Sequence, residues 1–563
     1  MRLLAPGLAA LALALSGCAA GPAPAPAPAP VPAPAPAPPP PPAVMSPEAI
    51  SAHIKVLASD EYEGRAPASE GEKKTLAYLE DQFKKIGLEP GPGGYLQPVP
   101  LAETIVVGAP ALTVAGKDGA KTYAYRDQWV AFTRRFAAKT EVKAADLVFV
   151  GYGVTAPDQG WNDYSKAAIK GKIAVILIND PDFETSKDLT GPFGGKAMTY
   201  YGRWTYKFEE AQRQGAVGAL IIHETAPAAY PWPVVQSSWT LPQYDMIAPD
   251  KGAKEMAFQA WISTAAATDL FKRAGLDFAK LKAGAQKPGF KAVPMKLKGS
   301  ATLELKMKEV TSANVVGVVK GAKRPDEVVL YTSHWDHLGR CPAVDGDDIC
   351  NGALDNASGT ATLIEIARAF AQGPKPERTV AFVAVTAEEK GLLGSAYYAA
   401  NPLFPIAKTV ANINMDGMPG FGRTRDVEVV GYGKNEVEDI LAKHVAAQGR
   451  TLKPEAFPER GGYFRSDQFS LAKVGVPAIF ASGGLDLING GVERGKQLDE
   501  DYIASAYHKP KDEFSAAWDL SGAAEDSKLL FDVGADIANS AVWPAWKPGA
   551  EFKAIREQSL KGK

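Results

Sequence analysis

The chain predicts an α/β fold, with a mostly parallel mixed sheet covered by helices on both faces and a second, β-rich insert. Three observations carry this expectation. From Ser312 onward, short apolar runs alternate with amphipathic helical stretches, the pattern of strands that cross over and return in parallel. The runs Val328-Val329-Leu330-Tyr331-Thr332, 379–386 and Ala411-Asn412-Ile413-Asn414-Met415 are each followed by acids, His or Gly. In an open α/β sheet the loops beyond the carboxyl ends of the strands meet in one crevice, so residues far apart in sequence can converge there. Between about 131 and 289 the texture shifts to short β-branched runs separated by aromatic and Pro-rich loops.

At 563 residues and 46% hydrophobic content, the chain exceeds what one core needs, so two folded domains are expected. The net charge of −2 is spread without long single-sign blocks. That excludes nucleic-acid binding and electrostatic adhesion to membranes.

The first eighteen residues carry Arg2, an apolar stretch and Leu15-Ser16-Gly17-Cys18. This is a secretory signal ending in a lipobox, too short to span a bilayer, with Cys18 as the site of lipid attachment. Residues 19–44 form an Ala/Pro-rich linker. Proline fixes φ and removes donors, so a stiff spacer at about 3.1 Å per residue and roughly 70 Å long is expected, with a slack linker of no required length as the open alternative. Cys341 and Cys350 flank an acidic loop, and an oxidising compartment favours a disulfide between them over two thiol ligands.

Folding resumes at Ser46-Pro47-Glu48, a capped helix start. Ser69 and Glu72 form a capping-box pattern ahead of Leu76, Leu79, Phe83 and Ile86, and Gly87 ends that helix. Both helices read as scaffold. Within 131–289, residues 147–154, 173–178 and 219–223 read as strands, and the aromatic loops at 201–206 and 230–233 are placed to wall a neighbouring cleft. A lid and a passive insertion both stay open. A helix over 356–372 buries Leu363, Ile366, Ala367 and Phe370.

The chemistry lies at the strand ends. His334 and Asp336 follow the first run, and with only six histidines in the chain His334 is assigned to a metal, with Asp336 orienting its ring. His337 is expected to be packed or solvent-facing. Asp355 is either the N-cap of the following helix or a bridge between two ions, which need a shared anion to offset their repulsion. Adjacent Glu388 and Glu389 repel unless a cation separates their roles. Glu389 is expected to bind metal while Glu388 stays free as general base and acid. Asp416 and His508 complete the two sites, and Asp512 is a supporting acid. Imidazoles with carboxylates suit two zinc ions, with manganese or cobalt as substitutes.

The set His334-x-Asp336, Asp355-Asn356-x-Ser358-Gly359, Glu388-Glu389-x-Gly391-Leu392-x-Gly394-Ser395, Asp416 and Tyr507-His508-x-Pro510 resembles the di-zinc aminopeptidases related to glutamate carboxypeptidase, metallopeptidase family M28. The resemblance implies a zinc-exopeptidase-like fold, with zinc ligands His334, Asp355, Glu389, Asp416 and His508, base Glu388, and a cis Asp355–Asn356 peptide. It likens the insert to a protease-associated domain. The stretch Tyr463-Phe464-Arg465-Ser466-Asp467-Gln468 resembles the family's loop near the substrate pocket, giving Tyr463, Arg465, Ser466 and Asp467 as substrate-binding candidates. The expected organisation is a signal (1–18), a linker (19–44), a peptidase domain in two parts (45–130 and 290–540), the insert (131–289) and a tail (541–563).

The expected function is an extracytoplasmic aminopeptidase acting on peptides. By likeness to lipoproteins with Ala after the lipidated Cys, it would be anchored in the outer membrane. A carboxypeptidase or dipeptidase on the same scaffold, a glutamine cyclase and a non-catalytic lipoprotein scaffold are the alternatives. Nothing in the sequence fixes the oligomeric state.

Overall fold

The computed structural model describes residues 45–165 and 169–561; Cys18 and the Ala/Pro linker lie outside the described residues. No helix among those described is long and apolar enough to cross a membrane.

Helix α1, Pro47–Leu57, starts as its sequence dictates: the Ser46 side chain accepts from the Ala49 amide, Pro47 opens the first turn, and Ile50, Ile54 and Leu57 are buried. In α2, Glu70–Lys85, Ser69 accepts from the Glu72 amide and the Glu72 carboxylate accepts from the amide of Ala68. Of its predicted inner face, Leu79 and Phe83 are fully buried, while Leu76 and Ile86 pack at the edge. The chain then enters β1, Leu96–Val106, which pairs antiparallel with a later strand of the main sheet and with the short strand Gln243–Met246.

Strands β2, Lys139–Phe149, and β3, Ile173–Leu177, begin a second layer, followed by α3, Trp204–Arg213, then β4, Gly218–His223, and β5, Phe258–Ser263. Neighbours in the order β2-β3-β4-β5 run parallel. The strands Ala111–Gly116 and Trp129–Phe132 pair into the same layer. One long strand, β6, Val293–Val319, joins the layers: its first part pairs with β2, and its last part with β1 and the main sheet.

The main sheet centres on β7, Arg324–His334, which is followed by α4, Gly359–Gln372, then β8, Arg378–Val385, β9, Thr409–Asn414, and β10, Ala478–Gly483. β7 lies between β8 and β9, parallel to both, and β10 continues the parallel order beside β9. The predicted α/β class is therefore the observed one. Every residue of β8 and β9 is buried, as sheet interiors covered on both faces require. Helix α4 buries Leu363, Ile366, Ala367 and Phe370 against this sheet, and α5, Ser521–Asn539, packs beside it.

Helix α4 begins later than its apolar pattern suggests. A tight wound turn, Ala353–Ser358, precedes it and contains the cis peptide bond Asp355–Asn356. Asn356 spends its side chain on this corner. Its Oδ1 accepts from the amides of Gly359 at 2.9 Å and Gly417 at 3.0 Å, and its Nδ2 donates to Ser333 Oγ at 3.0 Å. One amide thus ties the ends of β7 and β9 to the start of α4. Cys341 and Cys350 are joined as a disulfide across a small hairpin, Gly339–Val344 with Asp347–Cys350.

Candidate metal centre

His334 ends β7 wholly inside the protein, 1% exposed. Its Nδ1 donates to the backbone oxygen of Asp336 at 3.1 Å, which aims Nε2 into a cluster of acids. Nε2 lies 3.1 Å from Asp416 Oδ1 and 3.4 Å from Asp355 Oδ1. The other Asp355 oxygen lies 3.2 Å from His508 Nε2, which is also 3.1 Å from Glu389 Oε2. Asp355 is not the helix cap, because Asn356 takes the Gly359 amide. Asp512 fixes it instead: the two oxygens of that buried acid accept the amides of Leu354 at 2.9 Å and Asp355 at 3.0 Å.

Glu388 and Glu389 leave β8 through a turn in which Ala387 holds φ at 52°, a left-handed conformation uncommon without glycine and a frequent mark of functional sites. The Glu388 carbonyl accepts from the amides of Gly391 at 2.9 Å and Leu392 at 2.8 Å, closing the turn. His508 is likewise left-handed, φ 57°, and Tyr507 stacks on its ring at 3.9 Å.

The part expected of Asp336 changes. Its carboxylate oxygen stands 3.9 Å from His334 Nδ1 and instead accepts the Glu388 amide at 3.0 Å. The backbone of Asp336 orients the imidazole, while its side chain holds the glutamate turn.

Charge is concentrated here. Burial, then Glu389 and Asp416, push the Glu388 carboxyl well above its usual range, against the pull of His334. Burial pushes Asp336 up to about 7, and Asp467 likewise. Burial also opposes ionisation of Asp355, yet contact with His334 and His508 holds it well below the ordinary carboxylate value. His334 and His508 are raised despite burial, by Asp416 and Glu389 respectively among their neighbours. Acids outnumber imidazoles in this cluster, an arrangement that divalent cations would neutralise. One ligand atom from each of His334, Asp355 and Asp416 lies within 4.8 Å of the others, and His337, Asp355 and Glu389 form a second such group.

Residues 314–531 match Peptidase family M28. The chain carries an M28 peptidase domain. It is 38% identical over 112 residues to the mouse aminopeptidase NAALADL1, covering 19% of this chain and 14% of that protein. Aminopeptidase YwaD of Bacillus subtilis is 27% identical over 268 residues, covering 46% of this chain and 50% of the relative. The chain thus spans half or less of the length of these relatives. Among solved structures, an aminopeptidase from Aneurinibacillus sp. strain AM-1 aligns with 89% of this chain and 95% of its own, at 20% identity and a TM-score of 0.49.

Within the M28 domain, the four predicted substrate residues separate. Tyr463 is 2% exposed in an aromatic cluster with Phe464, Phe469, Trp546 and Phe552, so it is core rather than pocket. Ser466 is equally buried, its Oγ accepting from Asn414 at the end of β9. Asp467 is fully buried, and both carboxylate oxygens lack a hydrogen-bond partner. Arg465 alone is exposed, its Nη2 3.4 Å from the Tyr507 hydroxyl. The motif comparison located the loop but could not tell its inward side chains from its outward one.

One contribution escapes sequence reasoning. Arg65, between the two helices read as scaffold and not singled out by the sequence, is fully buried and donates to the carbonyls of Trp335, Leu57, Asn351 and Gly352 at 2.6–2.8 Å. Its only signal is an Arg inside the Glu63-Gly64-Arg65-Ala66 loop, where Gly64 passes so close that a Cβ would meet the Cys350 oxygen at 2.3 Å. The insert also touches the M28 domain beside the site: Met198 N donates to Pro458 O at 3.1 Å, Tyr200 packs on Phe469 at 5.4 Å, and Lys473 pairs with Glu209 at 3.1 Å.

Proposed function

We propose that this chain is an extracytoplasmic co-catalytic zinc aminopeptidase that removes the N-terminal residue from peptides. The observation that carries the reading is Asp355, whose Oδ1 faces His334 at 3.4 Å and whose Oδ2 faces His508 at 3.2 Å. One carboxylate shared between two imidazole-and-acid groups is what a pair of adjacent cations needs. The residues fit: His334, Asp416 and Asp355 would hold one zinc, and Glu389, His508 and Asp355 the other. When bound, such ions polarise the peptide carbonyl and make water nucleophilic near neutral pH.

The protein's own groups do the rest. Glu388 takes a proton from the attacking water and returns it to the leaving amine. Its burial raises proton affinity and nearby cations would lower it, which suits an acid that must work in both directions. Asp336 holds the Glu388 amide, and Asp512 holds the backbone of Asp355.

A second reading, carboxypeptidase or dipeptidase action, is favoured by exposed Arg465 against Tyr507, the neighbour of His508, since a guanidinium suits a peptide's terminal carboxylate. Arg203 of the insert lies near it: burial, and then the Arg465 charge, lower Arg203 to about 10. Digesting free-amine and N-acetylated versions of one peptide separates the two. The aminopeptidase should cut only the free form, lose activity to chelator and regain it with zinc. Equal turnover of the blocked peptide would move the assignment to carboxypeptidase.

We further propose attachment to the membrane, in the outer membrane by likeness to lipoproteins, through lipid on Cys18. The lipobox pattern and a disulfide suited to an oxidising compartment support it. Cys18→Ser should shift the protein from the membrane pellet to the soluble fraction and abolish fatty-acid labelling. Unlabelled wild-type protein would count against it.

A further inference from the structure

His337 was expected to be packed or solvent-facing, and it is packed: 0% exposed, against Gly352, where a Cβ would come within 2.5 Å of the ring. What it packs against is the metal cluster. A buried imidazole ordinarily satisfies both nitrogens. Neither nitrogen of His337 has a hydrogen-bond partner. Its Nδ1 nonetheless lies 2.6 Å from Glu389 Oε1, an oxygen that is also buried without a hydrogen bond. The two atoms form a close pair at the edge of the acid cluster, where an ion held by Glu389 and Asp355 would also be within reach of the His337 ring.

The surroundings agree. Ligand atoms of His337, Asp355 and Glu389 all lie within 4.8 Å of one another. His508 reaches the same two acids through their second oxygens, Glu389 Oε2 at 3.1 Å and Asp355 Oδ2 at 3.2 Å, with its ring 5.7 Å from that of His337. The loop that carries His337 is held rigidly, since Arg65 binds the carbonyls of Trp335 and Gly352 on either side of the ring.

We propose that His337 is an additional ligand of the metal ion held by Asp355, Glu389 and His508. The inference rests on the two-ion reading above and makes the two positions unequal. One ion has a single imidazole, His334; the other has two. A neutral imidazole adds a coordinate bond without adding charge, so the second ion is held more tightly and keeps fewer open positions. The position beside His334, with one imidazole, would then be the weaker of the two metal sites.

The test loads ¹⁵N-histidine-labelled protein with ¹¹³Cd in place of zinc and counts the imidazoles that show cadmium–nitrogen coupling. Three coupled rings, His334, His337 and His508, are expected. In His337→Gln one coupling should vanish, and chelator competition should show at least a tenfold loss of affinity for one cadmium with the other unchanged. Two bound ions coupled to His334 and His508 alone would overturn the inference and leave the two-ion reading standing. Protein that binds no cadmium would overturn both. The coupling count uses the unaltered chain, so it does not depend on the variant folding.

Discussion

Glu388→Gln is expected to keep both zinc ions and to lower kcat by about 10²–10⁴, the usual contribution of a positioned general base. The amide is isosteric with the acid and the Glu388 backbone stays tied, through its N–H to Asp336 at 3.0 Å and through its carbonyl to Gly391 and Leu392. The turn, and with it Glu389, should therefore be undisturbed. What disappears is the basicity of the carboxylate that accepts the proton, so KM should change little and kcat should carry the loss. Metal analysis beside steady-state kinetics checks this. Near-normal turnover with full zinc would remove Glu388 from the chemistry, and loss of zinc would make it a ligand instead. Glu389→Gln gives the contrast. Glu389 faces His508 and His337 through separate oxygens, so weakening it should release metal before any effect on proton transfer can be read.

The difference between these adjacent acids shows what the sequence can disclose. Strands β7, β8 and β9 were legible because burial on both faces leaves continuous apolar runs, and a parallel sheet forces their carboxyl-end loops together. That alone locates His334, Glu388, Glu389 and Asp416. Asp355 was ambiguous because a cap and a metal bridge favour the same residue type before a helix. The position of Asn356, which takes the capping bond itself, removes the cap reading and leaves the bridge as the proposal. Asp336 was placed correctly but given the wrong contact. Sequence proximity to His334 does not distinguish its carbonyl, which holds the ring, from its carboxylate, which reaches across to the next strand's loop. Tyr463 failed for a similar reason: a tyrosine in a loop near a cleft reads the same whether it points outward or into an aromatic core. His337 differs from its neighbours only in what lies across space from it, and no spacing rule encodes that.

Arg65 is the extreme case, since its acceptors Trp335, Asn351 and Gly352 stand some 270–290 residues away, and its removal should be the most damaging single change outside the proposed ligands. Burial lowers its guanidinium to about 10, partly offset by Asp512, Asp336, Asp355 and Glu389, so it remains charged at neutral pH. Arg65→Met keeps much of the volume but strands four carbonyl oxygens in a dry site, which should cost on the order of 3–5 kcal/mol. Arg65→Lys should recover only part, because one ammonium cannot reproduce a planar fork that reaches four acceptors. Three of these carbonyls, Trp335, Asn351 and Gly352, belong to the segments that present His334, His337 and Asp355, and the fourth, Leu57, ends α1. Stability and metal affinity should therefore fall together, with a lower urea midpoint for the metal-free protein and about tenfold or greater weakening of zinc binding, the size expected when a group supporting a ligand is lost. If the Met variant unfolded at the wild-type midpoint without metal, the guanidinium would not be the clamp between the first helices and the ligand loops. If only stability fell and zinc binding held, the clamp would serve the fold without shaping the centre.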